Sequence, residues 1–290
     1  MMVRASVPAS TQPFNPLAQP YPNWGALSST ENGGFANYQA LELQLNHRFA
    51  SGFMVQGTYD FAKNLTNVID AGVDALVGDY TINPVVNRFD SRYNRGNSAG
   101  TRRHRFLFTG LYELPFGKGR KMLSASNAFV DALLGGWQLS TVTLLETGPY
   151  VTPTIDPSTD QSNTNILNRN VSGVRPDLIG NPNVATNGAI WNINAFAPTP
   201  ANAGRFGDAG VGILEGPGTI AVAGGLSKNF RLRERARLRF ESTFTNLLNH
   251  PNFAVPSTSV SSPFFGILTT VQTAENSGNR TGQLSLRLDF

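Results

Sequence analysis

Residues Asn37-Tyr-Gln-Ala-Leu-Glu-Leu-Gln-Leu-Asn-His-Arg-Phe49 alternate between apolar and polar side chains. Leu41, Leu43, Leu45 and Phe49 share one face, and Glu42, Gln44, Asn46 and Arg48 take the other. Ala50-Ser-Gly52 reads as a tight turn. Beyond it Phe53, Val55, Gly57, Tyr59 and Phe61 resume the apolar face against Met54, Gln56, Thr58 and Asp60. Successive side chains of a strand point to opposite faces, so this pattern predicts an antiparallel hairpin with one greasy side. Each arm is long enough to cross a bilayer, for which about 9–11 tilted residues suffice.

The same alternation recurs downstream. Phe106, Phe108, Gly110, Tyr112 and Leu114 are in step within a strand from Arg103 to Leu114, ended by Pro115-Phe-Gly-Lys-Gly-Arg120. Residues 127–134 suit a short helical turn, and a fourth strand starts at Trp137 and fades by Gly148. A fifth carries Ile220, Val222, Gly224, Leu226 and Phe230. After a turn around Arg233-Glu234, a sixth carries Ala236, Leu238, Phe240, Ser242 and Phe244. The seventh carries Leu284, Leu286, Leu288 and Phe290.

The connections decide what such strands build. They are short after the first and fifth strands, intermediate after the third, and long at roughly 63–102, 149–218 and 249–279. In a compact soluble domain, three structureless loops of that length would argue against the strands. Short turns alternating with long loops are the pattern of an outer-membrane barrel, with the short turns periplasmic and the long loops external. Aromatic residues agree: Phe49, Phe53, Phe116, Trp137, Phe230 and Phe290 gather at the short-turn end, and Tyr38, Tyr59, Phe61, Phe106 and Phe244 at the other.

The expected fold is therefore all-β: an antiparallel up-and-down meander of about seven strands belonging to a larger transmembrane β-barrel, with long external loops. A periplasmic C-terminus makes the first and seventh strands both run inward. Residues 1–36, rich in proline, then read as an external loop remnant, and 37–290 as the C-terminal part of the barrel. Bacterial single-chain barrels have an even strand number, so further strands are expected upstream; that also accounts for a start, Met1-Met-Val-Arg-Ala-Ser-Val-Pro8, without a signal peptide. The competing architecture is a soluble β-sandwich whose aromatics fill a core.

Composition excludes several classes. Of 290 residues, 14% are charged and 40% apolar, with 29 glycines and 18 prolines, which suits short strands and turns. With no cysteine there is no disulfide framework or thiolate metal site. No apolar run is long enough for a spanning helix. The net charge is only +4, and the basic stretch Arg231-Leu-Arg-Glu-Arg-Ala-Arg-Leu-Arg239 alternates, which places arginines on one strand face and argues against nucleic acid as a partner.

Leu114-Pro-Phe-Gly-Lys-Gly-Arg120 with Leu134-Gly-Gly-Trp-Gln-Leu139 resembles the strand–turn–strand signature of Oar-like TonB-dependent receptors. So do Phe206-Gly-Asp-Ala-Gly-Val-Gly-Ile-Leu-Glu-Gly-Pro-Gly218 with Leu226-Ser-Lys-Asn-Phe230, the segment Leu238 to Phe253, and the terminal Leu-Arg-Leu-Asp-Phe290. One departure is Val211-Gly212, where the family pattern has Arg-Asn, so no role of that arginine carries over. The resemblance implies the barrel's final third in the outer membrane of a Gram-negative-type bacterium, importing a ligand with energy coupled through TonB. Its implied partners are outer-membrane lipid, the barrel-assembly machinery, and, through the absent N-terminal part, a plug domain and the TonB system. An adhesin or structural barrel without transport, or a secreted soluble β domain, are the competing functions.

Neither an enzyme nor a cofactor site is expected. His47, His104 and His250 lack metal-ligand spacing. Gly117-Lys118-Gly119 is not a phosphate loop, and Gly207-Asp-Ala-Gly-Val-Gly212 reads as a turn cluster. The most suggestive cluster is a polar ladder of Arg237, Arg239, Glu241, Arg287 and Asp289, expected to face the lumen. It could meet a plug or a charged substrate, or simply supply the polarity that the lumen side of any such strand requires. Asp70, Asp74, Asp79 and Asp90 could hold a cation such as calcium but lack the EF-hand spacing, which favours a solvated loop. Phe290, closing an alternating strand, is the expected assembly signal.

Overall fold

The computed structural model describes residues 33–67, 90–125, 127–156, 159, 174–233, 236–272 and 277–290. Seven long strands form one antiparallel meander: β1 (Ala36–Ala50), β2 (Phe53–Thr66), β4 (His104–Glu113), β5 (Trp137–Glu146), β10 (Thr219–Arg233), β11 (Ala236–Thr245) and β12 (Thr281–Asp289). The two-residue β3 (Gly96–Asn97) adds to β2. Each long strand pairs with its neighbour in sequence, as the alternation and turn lengths require. Strand edges extend beyond the periodic stretches: β2 continues five residues past Phe61, and β12 begins at Thr281.

The registers carry one face across the whole sheet. Leu43 lies opposite Tyr59, Tyr59 opposite Phe106, Phe106 opposite Leu145, and Leu145 opposite Ile220. Further along, Phe230 meets Leu238, and Leu238 meets Leu288. A slip of one residue anywhere would move a strand's apolar set to the other side, so the agreement at six junctions fixes the face. Leu41, Leu45, Leu284 and Leu286 are 54%, 64%, 70% and 66% exposed. Burying each would contribute about 1.5–3 kcal/mol, so a medium other than water must cover them.

β5 fades in the sequence because it is apolar on both faces. Leu139 and Leu145 belong to the continuous apolar face, whereas Val142 and Leu144 lie on the other and pair with Thr109 and Leu107. β1 and β12 are the two edges of the sheet among the described residues, and nearly every residue of both is exposed.

The expectation of structureless long loops is corrected. The connection at 149–218 carries the ribbons β6 (Tyr150–Val151) with β9 (Leu214–Glu215), and β7 (Asp177–Leu178) with β8 (Phe196–Ala197), besides a short 3-10 turn at Ile193–Ala195, and it packs with the other two connections. They share a hydrophobic core: Val151, Trp191, Phe196, Ala209 and Leu214 from one connection pack with Phe265 from another. A second cluster joins Ile155, Val174 and Phe206 to Tyr93 and Val260, so all three connections take part. Their partners are dozens of residues apart, and no local periodicity marks them. The result is a folded cap on the long-loop end, where close backbone approach is one requirement: a Cβ at Gly96 would stand 2.2 Å from the Val211 carbonyl oxygen.

The expected helical turn forms as α1 (Ala128–Leu134), with Asn127 capping it by accepting from the Val130 amide at 2.9 Å. The two small sheets are ribbons within the connections, whereas a β-sandwich needs a second sheet of comparable size facing the first.

Candidate functional site

The polar face of the meander and the cap above it contain the chemistry. At the short-turn end, β11 and β12 set Arg237 opposite Asp289, Arg239 opposite Arg287, and Glu241 opposite Ser285. All five ladder residues thus share the polar face, side by side. Each acid is used along its own strand: Glu241 forms an ion pair with Arg239, and Asp289 Oδ1 accepts from Arg287 Nε at 2.8 Å. Exposed pairs of this kind contribute about 0–1 kcal/mol, so the ladder remains a solvated, adaptable surface.

At the opposite end the sheet's polar face meets the cap through Glu146, the last residue of β5. Its carboxylate is almost wholly buried, 3.3 Å from Arg102 Nε and 3.0 Å from Arg105 Nη1. The Thr219 hydroxyl lies 3.2 Å from Glu146 Oε1 and 2.9 Å from Gln272 Oε1, which also accepts from Ser277 Oγ at 3.1 Å. One connection and two strands therefore converge on one buried carboxylate, and Gln272 of a second connection reaches it through Thr219. Asn252 extends the junction, accepting from the Ile220 amide at 2.7 Å and donating to the Ser277 carbonyl at 2.9 Å.

Within the cap, Arg175 is 3% exposed and stacks on Tyr93, its guanidinium carbon 3.8 Å from the ring centre. It donates to the Ala209 and Tyr93 carbonyls at 2.8 and 2.7 Å. Burial lowers the Arg175 pKa and raises that of the Tyr93 phenol, whose hydroxyl donates to the Gly207 carbonyl at 2.6 Å. Nearby, Arg205 grips Asp177 through both carboxylate oxygens at 2.6 Å. That bidentate bond, with the Asp208 amide at 3.1 Å, holds the Asp177 carboxyl below its ordinary value.

The sequence candidates outside the ladder have local roles. His47 stacks on Phe53 at 4.2 Å, His104 Nδ1 is hydrogen-bonded to the Tyr59 hydroxyl at 2.8 Å, and His250 Nδ1 lies 3.2 Å from Asn252 Oδ1. Asp90 Oδ1 accepts from the Arg92 amide at 2.9 Å in a turn. Asp70, Asp74 and Asp79, like Glu234 and most of residues 1–36, lie outside the described residues. Glu146 and Arg175 gave no sequence signal. One ends a weak strand, and the other is a lone arginine in a proline- and asparagine-rich stretch.

A family model described as an outer membrane beta barrel domain matches residues 4–283. Comparison with curated proteins gave no match, and comparison with solved structures gave none either.

Proposed function

Because the chain belongs to the outer membrane beta barrel domain family, and so to the outer membrane, we propose that it is the C-terminal barrel part of a TonB-dependent transporter importing a ligand. The observation that carries this reading is the cap. Three long connections share a core, and the first of them is tied to the sheet's polar face where Arg102 meets Glu146, an arrangement suited to governing access to a lumen. In this reading the long-loop end is external, and β1 and β12 pair with strands supplied upstream. The ladder of Arg237, Arg239, Glu241, Arg287 and Asp289 then lines the periplasmic end of the lumen, where a plug domain would rest. The resemblance of the turn and strand motifs to Oar-like receptors supports the same assignment.

A second reading, an adhesin or structural barrel, is favoured by one feature: Ile179 and Ile193 are 65% and 41% exposed on the cap beside the β7–β8 ribbon. The coding sequence upstream of Met1 separates the two. A continuous frame encoding a plug and TonB box, whose product is retained by immobilised TonB periplasmic domain, supports transport. A frame lacking both leaves the adhesin.

A further inference from the structure

The connection between β4 and β5 does not simply turn the chain. The indole Nε1 of Trp137 and the Nζ of Lys228 both donate to the Leu133 carbonyl, each at 3.0 Å. Trp137 and Lys228 lie opposite each other in register and belong to the continuous apolar face, two residues beyond Leu139 and Leu226. The C-terminal end of α1 is therefore fastened to the membrane side of the sheet, at the short-turn rim. Lys228 is itself 2% exposed, its ammonium 5.1 Å from the Trp137 ring centre and 4.9 Å from that of Phe230. The turn before α1 is latched to it: Asp131 Oδ1 accepts from the Lys118 amide at 2.5 Å, and a Cβ at Gly117 would stand 2.6 Å from that same oxygen.

Nothing among the described residues covers this unit. α1 buries none of its residues; Phe129, Leu133 and Leu134 are 76%, 59% and 45% exposed, as are Met122 and Leu123 at 53% and 45%. Beside them in sequence stand exposed Lys118, Arg120 and Lys121. Arg120 already bonds Glu113 at 2.8 Å, and Asp131 is occupied by the Lys118 amide. Apolar side chains beside cations at a membrane rim suit a lipid whose headgroup is negative. By register, a place for its tails lies further along the same face from Trp137 and Lys228, at Thr141 and Gly224. Gly110, Thr141 and Gly224 form a row of small residues across the apolar face, bordered by Tyr112, Leu139 and Leu226, and leave a trough of about 750 Å³.

We propose that residues 115–125 and 127–136 form a paddle that binds an anionic phospholipid, its phosphate at Lys118, Arg120 and Lys121 and its acyl chains along the Gly110–Thr141–Gly224 trough. The proposal rests on the orientation given above, with the short-turn end at the phospholipid leaflet, and not on transport. It is tested on the full-length gene product in neutral detergent, by native mass spectrometry during titration with phosphatidylglycerol or phosphatidylcholine. Wild type should retain phosphatidylglycerol about tenfold more strongly, because surface cations attract an anionic headgroup. The K118Q/R120Q/K121Q variant should lose that preference. F129S/L133S alters two exposed positions and should weaken retention of both lipids while keeping the preference. Equal retention of the two lipids by wild type, or a preference that survives in K118Q/R120Q/K121Q, overturns the proposal. Neither result bears on a plug or TonB box, so transport stands or falls separately.

Discussion

Leu286 of β12 lies opposite Phe240 of β11 on the apolar face, while the adjacent pair, Ser285 and Glu241, points the other way. Neighbouring positions of one strand thus meet lipid and lumen in turn. In the complete barrel, Leu286→Arg should cost about 2–4 kcal/mol near mid-membrane, and Ser285→Arg far less. Denaturant titration of both variants in lipid vesicles reads the difference; equal tolerance would mean that the faces are reversed.

Glu146 binds the cap to the sheet. Glu146→Ala leaves Arg102, whose side chain is 9% exposed, without its carboxylate, and should destabilise the cap junction by about 3–5 kcal/mol. Limited proteolysis should then cut residues 149–218 faster while the strands stay protected. Unchanged cleavage would show that Glu146 does not hold the cap.

Asp177 makes the cap acid-sensitive. Its folded pKa is depressed by Arg205, so its contribution is fully present above the unfolded value, about 3.9, and is lost as pH falls through the lower folded value. Fluorescence of Trp191, 1% exposed in the cap core, should report loosening as pH drops below about 4. Asp177→Asn should be less stable at neutral pH and lose this acid step. An identical acid profile for the two proteins would exclude Asp177 as its source.

Phe290 is 98% exposed and closes a strand whose alternate residues are apolar. If Phe290 is a signal for barrel assembly, its deletion should lower outer-membrane abundance well below that of Phe230→Ala in the full-length protein. Normal abundance of the deletion beside a depleted Phe230→Ala would reduce Phe290 to an ordinary interfacial anchor.

The strands and their faces were legible because period-two alternation is local: Leu41, Leu43 and Leu45 announce their side within five residues. The ladder was legible for the same reason, since Arg237, Arg239 and Glu241 simply occupy the alternate positions. The cap was not. Tyr150 pairs with Glu215, and Trp191 packs on Phe265, across separations that no periodicity can encode. Lys228 broke the alternation of its strand, and its partners, the Leu133 carbonyl and the Trp137 ring, lie far back in the chain.

The shared core also limits how the surface can vary. Phe265, in the last long connection, sits 5.6 Å from Trp191 and 5.7 Å from Phe196, both in the connection before it. External loops of a barrel meet phage and antibody, and separate loops can change sequence one by one. Here an exchange of residues 249–279 alone removes the ring against which the other connection folds. Escape at this surface therefore has to proceed by paired substitutions, or be confined to the rim around Ile179 and Phe264, where side chains point away from the core.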